Sequence, residues 1–97
     1  MMSAAIEVVM FAGVNGVSRQ QMQAAAAAVT PSLQKLAGFV SRSFGVSADG
    51  RYVDIVYWHD QAAALSAAEQ VMSLHDFRSF FALIEPGSVQ MMHFEQG

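Results

Sequence analysis

The chain contains no cysteine, which removes both a disulfide framework and thiolate chemistry. Basic residues are scarce as well: five Lys and Arg are scattered among 97 positions against eight acids, for a net charge of −3. Nucleic acid is recognised by clustered Lys and Arg, so no nucleic-acid partner is expected. No run approaches the roughly 18 consecutive apolar residues of a membrane span, so no membrane partner is expected either. The opening MMSAAIEVVMFAG lacks a basic n-region and carries Glu7 inside its apolar run, a poor pattern for a signal peptide. The default expectation is a cytoplasmic protein. Charge of either sign is thin, at 13% of residues against roughly 25% in an average soluble domain. Hydrophobic residues make up 54%. Alanine inflates that figure, but the strands are apolar too, which favours a surface that self-associates.

A chain of this length makes one domain, taken as 1–97. Ala5 to Val14 is rich in β-branched and aromatic residues and predicts a first strand. Ser18 with Gln21 three residues on has the form of a capping box. The helix it opens carries Met22, Ala26, Val29, Leu33 and Leu36 as one apolar stripe, with Pro31 set to kink or restart it and Gly38 to stop it. Phe39 to Val46 predicts a second strand, Asp49-Gly50 a tight turn, and RYVDIVYWHD (Arg51 to Asp60) a third strand paired with the second. Asp60 is placed to cap the next helix, with Leu65, Ala68, Val71 and Met72 inward. Ser73 with Asp76 predicts a fresh cap before a last helical segment with Phe77, Phe80, Phe81 and Ile84 inward, and Ser88 to Glu95 predicts a fourth strand. The order βαββαβ is the ferredoxin-like, α+β pattern with a four-stranded antiparallel sheet.

In that fold both helices cover one side of the sheet. The other side is exposed, and polar residues would suit it. Here Ile6, Val8 and Met10 alternate with Glu7, Val9 and Phe11, while Val53, Ile55 and Tyr57 alternate with Tyr52, Val56 and Trp58. Both faces are largely apolar. Each Val, Ile or Phe left wet forgoes about 1.5–3 kcal/mol. The expected remedy is a homodimer packed through the sheet face, a twofold arrangement in which one patch covers itself.

The helix ending AGFVSR, the hairpin, a third strand closing on Trp58 and the ending FFALIEPGSVQMMHFE together resemble the dimeric α+β barrel superfamily, in its antibiotic biosynthesis monooxygenase-like branch. The resemblance spans about Ile6 to Glu95. It implies a homodimeric α+β barrel with a pocket between sheet and helices. It also implies a cofactor-independent monooxygenase or related small enzyme acting on a small apolar or aromatic molecule. No metal or flavin is called for, because a deprotonated electron-rich phenol reacts with oxygen directly.

Within the resemblance, the quinone-forming members carry an Asn four residues before a Trp at the end of the third strand. This chain keeps Trp58 and has Asp54 in the Asn position. Four residues apart on a strand, the two share a face. Asp54 is therefore the candidate catalytic base, and Trp58 the residue that shapes the pocket. Two other arrangements are open. Asp54 can pair with Arg42 across the hairpin or hydrogen-bond to backbone in the pocket wall; turn register decides whether Arg42 reaches it, since a two-residue Asp49-Gly50 turn would set Gly45, Ser43 and Ser41 on the Asp54 face instead and leave room for a ligand. His75 and Arg78 are candidates for a polar end of the pocket, and Met72 and Phe81, with Phe77, Phe80 and Met91, for its apolar lining. The tyrosine that the monooxygenases carry early in the second helix has no counterpart in QAAALSAAEQ. Relatives of this family that degrade haem resemble one another in an Asn on the first strand and a Trp and a His in the second helical region; here the first strand has no Asn, the second helix has no Trp and only His75 could serve as axial ligand, so haem chemistry is not expected. The three His are too scattered for a metal site. His59 reads as part of a solvated helix start, and His93 as a satisfied sheet histidine. Two further functions compete with the enzyme: a non-catalytic dimer that binds a small hydrophobic ligand, and a structural dimer with a filled core. A continuous cavity beside Asp54 and Trp58 separates the first two from the third.

Overall fold

The computed structural model describes residues 4–97. Strands β1 (Ala5–Phe11), β2 (Phe39–Val46), β3 (Tyr52–Trp58) and β4 (Gln90–Glu95) form one antiparallel sheet in the order β2-β3-β1-β4. Helices α1 (Arg19–Ala28) and α2 (Thr30–Gln34) lie between β1 and β2, and α3 (Gln61–Val71) and α4 (Arg78–Ala82) between β3 and β4. This is the ferredoxin-like α+β fold, with β1 and β3 central.

Local chemistry accounts for most of the boundaries. Ser18 accepts from the Gln21 N–H at 3.0 Å, and the Gln21 side chain accepts from the Ser18 N–H at 2.8 Å, so the capping box forms. Pro31 lacks the N–H that would continue α1. The helix ends at Ala28 and restarts at Thr30 with proline in its first turn. The apolar stripe is as expected: Met22, Ala26, Val29 and Leu33 are buried and Leu36 is half-buried. Gly38 has φ +85, and a Cβ there would stand 2.5 Å from the Ala63 Cβ. Glycine is therefore required twice over, by backbone conformation and by the close approach of α3. Asp60 caps α3 through Ala63.

Three expectations about the elements are corrected. First, the inward face of α3 is offset by one residue: Ala64 and Ala67 are buried, whereas Leu65 is 51% and Met72 75% exposed. Small side chains let α3 approach the sheet closely, so alanine rather than leucine supplies the contact. Second, Ser73 and Asp76 do not make a cap. Ser73 Oγ donates to the Gln70 carbonyl, Asp76 accepts from Ser32 Oγ, and the chain passes through a 3-10 turn at His75–Phe77 into α4. Third, β2 and β3 are joined by a three-residue loop, not a two-residue turn: Ser47 pairs with Arg51 and Gly50 takes φ +87 at the third loop position. That one extra residue sets the register at Phe44 opposite Asp54 and Arg42 opposite Val56.

The core lies between sheet and helices. Phe11, Tyr52, Val56 and Trp58 from the sheet meet Met22, Val29, Phe77 and Phe80 from the helical layer. Phe11 and Phe44 each stack with Tyr52, and Phe80 meets both phenylalanines edge-on. The opposite sheet face aligns Ile6 with Tyr57 and Phe94, and Val8 with Ile55 and Met92. Phe94 is 48% and Met92 37% exposed. Among the described residues no helix is long and apolar enough to cross a membrane.

Candidate functional site

A cavity of about 430 Å³ lies between the sheet and the helices. Its sheet wall is built by Glu7, Val9 and Phe11 of β1 and by Asp54, Val56 and Trp58 of β3. Its helical wall is apolar, with Leu33, Ala67, Ala68 and Val71 on one side and Phe77, Phe80 and Phe81 on the other. Met72, Val89 and Met91 line it while remaining 75%, 41% and 49% exposed, which places the mouth between the end of α3 and β4. The volume falls within the roughly 300–1,000 Å³ usual for small-molecule sites.

Alternation along β1 and β3 sends every second residue toward this space, so Glu7, Asp54 and Trp58 share the helix-facing side. Asp54 forms a two-pronged ion pair with Arg42: Arg42 Nε donates to Oδ1 at 2.8 Å and a terminal nitrogen to Oδ2 at 2.6 Å. The other terminal nitrogen donates to the Ala26 carbonyl at 2.5 Å and to Thr30 Oγ1 at 3.0 Å. The guanidinium also lies over the Phe44 and Phe80 rings, at 5.7 and 5.9 Å from their centroids. The hairpin pairing is thus realised, and the carboxylate lines the cavity as well.

Trp58 is almost wholly buried. Phe39 meets its indole edge-on at 5.8 Å, and its Nε1 donates to Glu7 Oε1 at 3.2 Å. The other Glu7 oxygen, Oε2, stands 3.5 Å from His93 Nε2. His93 is next to Glu7 in the β1–β4 register. Its Nε2 is buried with no hydrogen-bond partner, so it is not the satisfied sheet histidine expected from the sequence. Burial pushes the Glu7 carboxyl above its ordinary value, the Trp58 hydrogen bond and His93 pull it back in part, and the nearby Asp54 charge adds to the rise.

The structure brings Asp54, Trp58, Met72 and Phe81 to one cavity and leaves His75 and Arg78 outside it. Both of these are exposed, because the 3-10 turn and α4 direct Phe77 and Phe80 inward instead. The polar wall comes from the sheet, not from the helix. Sequence reasoning did not place Glu7 on the cavity wall. The available signal was an acid in the middle of an apolar strand, two and four residues before Val9 and Phe11 on the face turned to the helices.

No protein-family model matches the chain, and no curated protein does. Solved structures do. The cofactor-independent oxygenase SnoaB from Streptomyces nogalater superposes with a TM-score of 0.79 at 20% identity, over 98% of this chain and 94% of that one. A candidate antibiotic biosynthesis monooxygenase from Bordetella bronchiseptica gives 0.77 at 16% identity, over 99% of both chains. A dimeric ferredoxin-like protein of unknown function from Jannaschia sp. CCS1 gives 0.71 at 13% identity, over 96% of this chain and 99% of that one. The chain therefore shares the ferredoxin-like α+β fold of these structures.

Proposed function

We propose that this protein is a small cofactor-independent oxygenase that takes an apolar, aromatic molecule into the cavity between sheet and helices. The observation that carries the reading is the cavity itself: about 430 Å³ with an apolar helical wall, and two carboxylates and an indole on the sheet side. Likeness of fold to an oxygenase that needs no cofactor supports it. Trp58, held by Phe39 and Glu7, shapes the floor against a flat ring, and Asp54 with Arg42 supplies a fixed polar edge. The reaction balances without a cofactor. A phenol gives up its proton, the anion passes electrons to dioxygen, and the product is a quinone with one molecule of water.

We infer further that two copies pack through the open sheet face. Ile6, Val8, Ile55, Tyr57, Met92 and Phe94 form a patch that water covers poorly. The Jannaschia structure with this fold is itself dimeric.

Oxygen uptake in the presence of a panel of hydroxyaromatics tests the function. Consumption should match loss of the phenol, and Trp58→Phe should reduce it at least tenfold with the fold intact by circular dichroism. Binding without oxygen uptake by any member would favour the second reading, a non-catalytic carrier of hydrophobic ligands, which the same apolar walls support.

A further inference from the structure

The cavity holds two carboxylates, and they differ in what remains free. Both Asp54 oxygens already receive nitrogens of Arg42, at 2.8 and 2.6 Å. Glu7 has one oxygen on Trp58 Nε1 and the other, Oε2, 3.5 Å from His93 Nε2, which is longer than a good hydrogen bond. That His93 nitrogen is buried and has no partner. A buried polar atom of this kind calls for an explanation. Oε2 of Glu7 is thus left without a close donor, unlike both oxygens of Asp54.

We propose that Glu7, and not Asp54, is the catalytic residue that takes the proton of an acidic hydroxyl on the bound aromatic molecule, at Oε2, the oxygen that no close donor occupies. The proposal rests on the oxygenase reading above and names its proton acceptor and the mark of its substrate class: one acidic hydroxyl on an otherwise apolar ring. In the step, the ligand O–H bond breaks and its electron pair stays on the ligand oxygen. A new O–H bond forms at Oε2. The carboxylate becomes a carboxylic acid and the ligand its anion, with no redox change. Trp58 fixes the carboxylate in place through Oε1, so that Oε2 is the oxygen left for the ligand. The upward push of burial on Glu7 makes it a better base than an exposed glutamate.

The probes are 1-naphthol and 1-methoxynaphthalene, which share a ring system and differ in the donated proton. Titrated by fluorescence into the full chain near pH 8, naphthol should bind about tenfold or more tightly, the usual worth of a hydrogen bond to a charged group. Glu7→Gln, whose amide oxygen can still accept from Trp58 and whose NH₂ can donate to either probe's oxygen, should abolish that preference and bring the two affinities within twofold of one another. Lowering the pH through the Glu7 titration should remove the naphthol preference in the unaltered chain as well, which serves if the variant folds poorly. The charged or titratable groups facing Glu7 are His93 from β4 and Asp54 from β3, the latter tied to Arg42. The helical wall above presents Ala67, Ala68 and Val71. Equal binding of both probes, or a preference that survives Glu7→Gln, overturns this proposal and leaves the aromatic pocket standing. Binding of neither overturns both.

Discussion

Glu7 occupies the middle of a strand, where burial makes its charge unfavourable, and its folded-state carboxyl is raised as a result. The consequence for stability has a definite sign. Below the unfolded glutamate value, about 4.3, both states are protonated and the residue contributes fully. As pH climbs toward and through the folded value, the unfolded chain ionises first and that contribution is lost. Glu7→Gln should therefore match the unaltered protein in acid and exceed it at pH 8, measured as the midpoint of urea unfolding at each pH. An unchanged pH profile would show that Glu7 ionises freely in the fold. A charge in the middle of an otherwise apolar strand is visible in the sequence. That Trp58 Nε1 and His93 Nε2 flank it is not, because those contacts join positions far apart in the chain.

At the scale of elements, Arg42 is the tie between layers. From β2 it reaches Asp54 on β3, the Ala26 carbonyl at the end of α1, and Thr30 at the start of α2. Ala26 belongs to the last turn of α1, whose carbonyls lack helical partners and favour a cation. Arg42→Ala would leave the Asp54 carboxylate buried without its counter-charge, at a loss of about 3–5 kcal/mol in urea unfolding. The joint replacement Arg42→Met with Asp54→Leu should recover most of that loss, since neither charge is then stranded. A single replacement costing under about 1 kcal/mol would mean that solvent reaches the pair. The sequence left both this pairing and its alternative open. The choice turned on one loop residue: with Gly50 at the third loop position, Arg42 comes onto the Asp54 face, and Ser41 and Ser43 turn away. Likewise the Ser18 and Asp60 caps were legible because capping is local. The inner face of α3 was not, because leucine and alanine exchange places once a close-packed sheet selects the smaller side chain.

For the molecule as a whole, the open sheet face is the unresolved liability of a single chain. Val8 sits at its centre, opposite Ile55 and Met92. Val8→Lys should convert a dimer into a single-chain species in sedimentation at micromolar concentration while leaving the monomer's fold intact, because the substituted side chain points away from the helices. A unaltered chain that sediments as a stable monomer would overturn the dimer. The face was foreseeable from alternation alone: both parities of β1 and β3 are apolar, and the helices cover only one of them.

The sequence by itself determined the order of elements, the caps at Ser18 and Asp60, the break at Pro31 and the greasy character of both sheet faces, since each depends on neighbours within a few residues. Tertiary structure alone decided the hairpin register, the Arg42–Asp54 pair and the meeting of Glu7, Trp58 and His93, because strand pairing brings these residues together across the chain and a shift of one position would turn them to the other side.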